Sequence, residues 1–272
     1  DVQKSAPGAW WTQVTSDWSE FCSWAERACG SGASSGNAFR GQSDTGWSLK
    51  TSLLRLAEQA GLSAAKTIDV EESITKEFAS LAHLHVTLLS DPIIGTIPWW
   101  PWMQHYRAPT RLLDWSMSPY VALYFAVEQN WQCDGAVWGF AINELRDRMT
   151  QKYGGGNATD DPKLSRLFSK YDAPAHVSVV SSERYSERMA AQQGLFTLCT
   201  QVLADHDEAI GESTPGDAEL AHSFKFVIPK DAKPDFLRRL RRMNITAGTL
   251  FPGADGLGRS LGEKVRLAGF GV

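Results

Sequence analysis

The 272-residue sequence contains no apolar run near the ~20 residues that a membrane-spanning helix needs, so no membrane partner is expected. Asp1-Val2-Gln3-Lys4 shows no apolar core of signal-peptide type. Strong charge of one sign is also missing. A formal net charge of -4 gives no global attraction to phosphate backbones and leaves nucleic acid only a local patch. Cysteine is scarce: Cys22, Cys29, Cys133 and Cys199 show no CxxC spacing, which fits free thiols in a reducing, cytoplasmic compartment. His83 and His85 are two residues apart and would diverge on a helix, so no metal site is expected. Without an internal repeat or a composition break, residues 1–272 read as a single domain, with 1–15 expected to be flexible.

A hydrophobic content of 43% with 21% charge is ample for a sizeable core. Apolar residues at 3- and 4-residue spacing predict helices over 16–28, 52–60, 69–89, 119–128 and 231–243. The third would carry Ile74, Phe78, Leu81, Leu84 and Leu88 as its buried stripe. Short β-branched or aromatic runs predict strands over 38–42, 136–142, 175–180, 195–199 and 224–229. A short charged helix is expected over 182–191. Gly/Ser-rich 30–36 and Gly/Asn/Asp-rich 153–161 read as linker and loop. Strands and helices mix without regular βαβ alternation, which makes the fold class α+β.

The densest functional signal is Trp99 to Ala126. Four tryptophans, three tyrosines, two arginines, a histidine and an aspartate run directly into an apolar helix. Aromatic faces interleaved with a few polar groups suit a pocket wall. Elsewhere, Arg40 between Phe39 and Gly41 offers a guanidinium fork for phosphate or carboxylate. Gly41 would let a ligand approach the backbone, though a salt bridge beside a glycine turn accounts for the pair equally well. Ser118-Pro119 caps a helix whose N-terminus could favour an anion or merely close a core element. Asp114 would orient Arg111 or cap a turn. His105 reads as a half-buried histidine with no visible partner. Gln192-Gln193-Gly194 opens a strand with uncharged amides, and Arg238 to Arg242 reads as a solvated basic helix face.

Taken together, Phe39-Arg40-Gly41-Gln42-Ser43, Gln104-His105-Tyr106, Pro109-Thr110-Arg111-Leu112-Leu113-Asp114-Trp115, Ser118-Pro119 through Ala126, Gln192-Gln193-Gly194-Leu195-Phe196 and Leu250-Phe251-Pro252 resemble the FRG domain family. Arg107 is a departure, since glycine is common there in relatives. The family is distantly similar to ADP-ribosyltransferases, which implies a split mixed β-sheet core with flanking helices and NAD as co-substrate, without metal. The resemblance implies an NAD-dependent mono-ADP-ribosyltransferase acting on a protein or nucleic acid, of toxin or antiviral-effector type. An NAD glycohydrolase and a non-catalytic nucleotide- or partner-binding module are the alternatives. Carried over by residue, Arg40, Gln192 and Tyr106 become the catalytic positions. Arg40, Gly41, Gln42, Ser118, Tyr124 and Phe125 would contact NAD, with Tyr124 or Phe125 flanking the nicotinamide. Gln192 or Gln193, the former favoured by the Gln-x-Gly-x-Phe pattern, would stand where many transferases have glutamate. The three tryptophans Trp99, Trp100 and Trp102 fall outside this pattern and are expected to pack or to touch the acceptor.

Overall fold

The structure is a computed structural model, and it describes residues 10–30, 36–85, 97–153, 166–172, 175–180, 186–211 and 223–270. Seven strands form one sheet: β1 (Trp11–Val14), β2 (Asn37–Gln42), β3 (Leu112–Ser116), β4 (Gly135–Ala141), β5 (Val177–Val180), β6 (Gly194–Cys199) and β7 (Ser223–Ile228). Their order is β1-β7-β4-β2-β3-β6-β5, antiparallel except for the β1–β7 edge pair. The described helices are α1 (Trp18–Gly30), α2 (Ser52–Gln59), α3 (Ala64–Leu81), α4 (Trp100–His105), α5 (Pro119–Val127), α6 (Ile142–Tyr153), α7 (Glu187–Ala191), α8 (His206–Gly211), α9 (Lys233–Arg242), α10 (Ala247–Leu250) and α11 (Ala254–Ala268). This is the mixed α+β architecture that the sequence pattern predicts.

The sheet is unevenly stitched. β2 and β4 share six register pairs and β3 and β6 share five, whereas β2 and β3 meet only at Phe39 and Ser116. Alternation along the strands sends Phe39 to one face and Ala38 to the other. Behind the seam, one apolar cluster runs across both halves, from Ala38 and Trp138 through Leu113 and Trp115 to Leu195. In front of it the core is divided. Helices α1, α5 and α9 pack with Phe39, Val137 and Phe226 on one half, while Trp100, Met103 and Leu112 pack with Phe196 and Leu198 on the other. The divided core leaves the seam open on the front face, where Asp114 is the exposed member of an otherwise buried strand.

Helix α5 explains how the first half is held. Every residue from Pro119 to Val127 is apolar except for the Tyr hydroxyls, and all but Tyr120 and Phe125 are buried. A helix that is apolar all round needs a close seat. Glycines supply it: an added Cβ on Gly41 would lie 1.8 Å from the Ala122 carbonyl oxygen, and one on Gly135 would lie 2.2 Å from that of Ala126. Ser118 caps the helix by accepting from the Val121 amide, as expected.

Some expected elements change. Trp11–Val14 is a paired strand and Trp10 is buried, so flexibility does not extend to residue 15; residues 1–9 lie outside the described residues. Helix α3 ends at Leu81 and buries Thr67, Glu71 and Thr75, while Leu81 and Leu84 are exposed and Leu88 lies outside the described residues. Arg111 is the cause. Fully inside the protein, its guanidinium makes a bidentate pair with Glu71 (2.8 and 2.9 Å from Nε), donates to the Phe168 carbonyl at 2.9 Å and lies over the Trp100 ring. An isolated buried charge is expensive, so α3 turns its carboxylate inward. Most of the expected 30–36 linker and 153–161 loop lies outside the described residues, as does the start of the 182–191 helix.

Candidate functional site

The seam is built around Asp114. β3 runs from Leu112 to Ser116, and alternation puts Leu112, Asp114 and Ser116 on the front face. From α4, Gln104 donates to the Asp114 carboxylate at 2.7 Å, and its own amide oxygen accepts from the Thr110 hydroxyl. From β2, Arg40 leaves the sheet on the face of Ala38 and donates to the Asp114 carbonyl at 2.7 Å. Where ladder bonds stop, a guanidinium ties the two half-sheets together. Arg40 Nε is buried with no hydrogen-bond partner, and burial lowers the guanidinium pKa against the opposing pull of Asp114. Asp114 therefore serves Gln104 and Arg40; the expected partnership with Arg111 is replaced by Glu71.

The loop before β6 closes one end of the seam. The Ser116 hydroxyl donates to the Gln192 carbonyl at 2.7 Å and accepts from the Ser118 amide at 3.0 Å. The Met117 amide donates to the Gln193 carbonyl at 2.9 Å. Gln193 takes a positive φ of 47°, which leaves Gln192 to place its side chain: Nε2 donates to the Leu250 carbonyl at 3.0 Å. The Gln192–Gly194 turn, the Ser116–Ser118 turn and the end of α10 are thus one bonded unit. The Ser116 hydroxyl brings Gln192 and Ser118 together.

Next to Leu250, Phe251 carries two guanidiniums. Arg188 of α7 lies 4.7 Å and Arg259 of α11 lies 4.1 Å from its ring centroid. Phe125 meets the same ring edge-on at 5.9 Å. Burial pushes the Arg188 pKa down, and Arg259 and Arg107 push it further while Asp114 and Asp255 oppose them. His105 is also pushed down, by burial and by Arg188; its Nδ1 lies 3.4 Å from the Ser186 hydroxyl.

Other expected contacts sit elsewhere. Tyr124 is wholly buried, with its hydroxyl bonded to Glu128 and Glu263, so it has no ring face free for a ligand; of the pair only the half-buried Phe125 flanks the site. Gln42 is buried and used at both ends, donating to the Ser48 carbonyl and accepting from Trp138 Nε1. The open side of Gly41 is filled by α5, so the glycine serves helix packing and leaves no approach for a ligand on that face. Tyr106 is exposed, meets His105 edge-on and Phe78 at a tilt, and lines an apolar cavity with Ile74, Leu81 and Met103. Trp99 and Trp100 pack against α3, where Trp100 donates to Thr75. On α9, Arg239 and Arg241 are paired with Asp235 and Glu263, which reduces the basic face. The sequence reading missed Arg188, whose only signal was a place on a short charged helix, and Arg259, on a helix that it did not predict.

Among the described residues no group of His, Cys, Asp or Glu could hold a metal ion, and no helix is long and apolar enough to cross a membrane. Fold and site thus define an α+β protein with an exposed carboxylate at a thinly paired seam in its own sheet. Residues 35–134 match the family model of the FRG domain, and the chain carries an FRG domain over that stretch. The match encloses β2 through α5, and so holds Arg40, Asp114, Ser118 and Phe125, while Gln192 and Phe251 lie outside it. No curated protein and no solved structure matches the chain.

Proposed function

We propose that the protein is an NAD-dependent mono-ADP-ribosyltransferase that binds NAD across the seam between β2 and β3 and modifies a macromolecular acceptor. The observation that supports this most is the split itself: one register pair, a divided core and a half-buried arginine strut leave Asp114 exposed at a thinly stitched seam of the sheet. The β2 edge beyond Phe39 faces that seam and would hold the nicotinamide amide. Phe125 would flank the ring, and Ser118 with the Gln192 turn would close the end.

The chemistry asks for little acid–base help. The bond from ribose C1′ to the pyridinium nitrogen breaks with its electron pair going to nicotinamide, which leaves neutral. An acceptor nucleophile bonds to C1′ and releases its proton to solvent. The oxocarbenium-like centre needs nearby negative charge and positioning. Gln192 is neutral and its amide is committed to Leu250, so it positions. Asp114, the exposed carboxylate on the seam, supplies the charge.

The test is mass spectrometry of NAD incubated with the protein, with and without cell extract. The expected result is an added ADP-ribosyl group on an extract macromolecule, reduced at least tenfold in Arg40→Ala and in Asp114→Asn. Free ADP-ribose and nicotinamide without any acceptor would make the protein a glycohydrolase. Intact NAD in every arm would leave a binding module and overturn the proposal.

A further inference from the structure

Arg188 and Arg259, from separate helices, meet at Phe251, and Arg107 lies within electrostatic reach of Arg188. Arg107 and Arg259 each have a carboxylate at the long end of ion-pair distance, whereas Arg188 has none among the described residues. Asp255 stands 4.0 Å from Arg107, and both are largely exposed; Glu128 stands 3.8 Å from Arg259; Asp114 attracts Arg188 electrostatically but is hydrogen-bonded to Gln104 and not to it. Among the described residues the Arg188 guanidinium has no hydrogen bond or ion pair. A partly buried guanidinium with five donors and no acceptor is an incomplete interaction. A ring contact is worth only about 0.5–2 kcal/mol and satisfies no N–H.

The backbone adds an independent observation. Arg107 sits at φ 65°, in the left-handed region that favours glycine, although it carries a long charged side chain. Holding a non-glycine residue there costs on the order of 1 kcal/mol, and such strain tends to persist where the side chain has a task. The turn after α4 therefore places a third cation beside two that already repel each other.

We infer that Arg107, Arg188 and Arg259 form a diphosphate-binding subsite at the Phe251 end of the seam, which takes the pyrophosphate group of a nucleotide. Two adjacent anionic phosphates match planar forks that can each make paired hydrogen bonds, and they relieve the repulsion among the three cations. Phe251 is buried, and its ring is in contact with two of the forks. The position next to the Gln192 turn rests on the proposed NAD cleft, but the phosphate chemistry does not.

Calorimetry with inorganic pyrophosphate, ADP and adenosine tests this on the whole chain. Pyrophosphate and ADP are expected to bind and adenosine to bind at least tenfold more weakly. Arg188→Ala should lower ADP affinity at least tenfold and Arg188→Lys should restore part of it. Arg242→Ala, on the exposed end of α9, should change it less than twofold, and circular dichroism should show all variants folded. No binding of pyrophosphate or ADP by wild type, or equal ADP affinity in a folded Arg188→Ala protein, would overturn the subsite. The two proposals fail separately: NAD turnover that survives Arg188→Ala removes the subsite alone, whereas pyrophosphate binding without NAD turnover removes the transferase alone.

Discussion

At Gly41 the missing side chain has a measurable meaning. A methyl group there would stand 1.8 Å from the Ala122 carbonyl oxygen and 2.7 Å from the Ala126 amide nitrogen. Both belong to helix backbone, which cannot rotate away as a side chain would. Gly41→Ala must therefore lift α5 off β2 or bend the strand, and overpacking of this kind costs about 1–3 kcal/mol or more. Gly258 in α11 makes the contrast, since nothing lies within 4 Å of its added Cβ. There the change to alanine should raise stability by about 0.5–1 kcal/mol through helix propensity. Denaturant unfolding of the two variants should move the midpoints in opposite directions. A Gly41→Ala midpoint equal to wild type would show that α5 does not need the glycine.

Between elements, the clearest device is the chain of bonds that joins β3, β6 and α8. Trp115 Nε1 donates to the Thr197 hydroxyl at 2.8 Å, and Thr197 Oγ lies 2.8 Å from His206 Nδ1. With the hydroxyl donating onward, the neutral imidazole completes the chain as acceptor. Burial, helped by Arg40, pushes His206 down to about 3 from an ordinary 6.5. Between those values the unfolded chain takes up a proton that the folded protein refuses, so stability present above pH 6.5 is lost as pH falls toward 3. The slope from this group is at most about 1.4 kcal/mol per pH unit. His206→Asn keeps an acceptor but does not titrate, so its stability should fall less steeply than wild type between pH 6.5 and 4. Parallel profiles would remove His206 as the source. This network also shows why the sequence was only partly legible. Periodicity located β2, β4, β6, β7 and α5 within a residue or two because their burial is regular. β1 and β3 were missed: the first is short and half-buried, and the second lies inside an aromatic segment whose Trp and Ser look like loop. Arg40, Gln192, Ser118 and Phe125 were singled out through their motif. Arg188 and Glu71 were not, since their roles depend on partners 40 or more residues away, and Arg259 was not, since its helix carried no pattern that the sequence reading picked out.

For the whole molecule the consequence is that one sheet behaves as two. The first half is fixed by α1, α5 and α9, the second by α3 and α4, and the cluster behind Trp115 and Trp138 spans them. What crosses the gap in plane is a single register pair and the Arg40 bond to Asp114. Local opening follows the number of buried contacts and ladder bonds, so the seam should be the first part of the central sheet to exchange. Amide hydrogen exchange is expected to be faster for residues 112–116 than for 135–141, although both strands are central. Arg40→Ala should speed exchange further at 112–116 while leaving β4 and β7 little changed, because their six-pair ladder does not use the strut. A nucleotide that bridges the seam should do the reverse and slow exchange on both of its sides. If Arg40→Ala instead accelerates all strands together, the two halves unfold as one body and the seam has no mechanical independence. Protection by NAD at 112–116 in wild type, and its absence in Arg40→Ala, would tie the opening of the sheet to the proposed cleft.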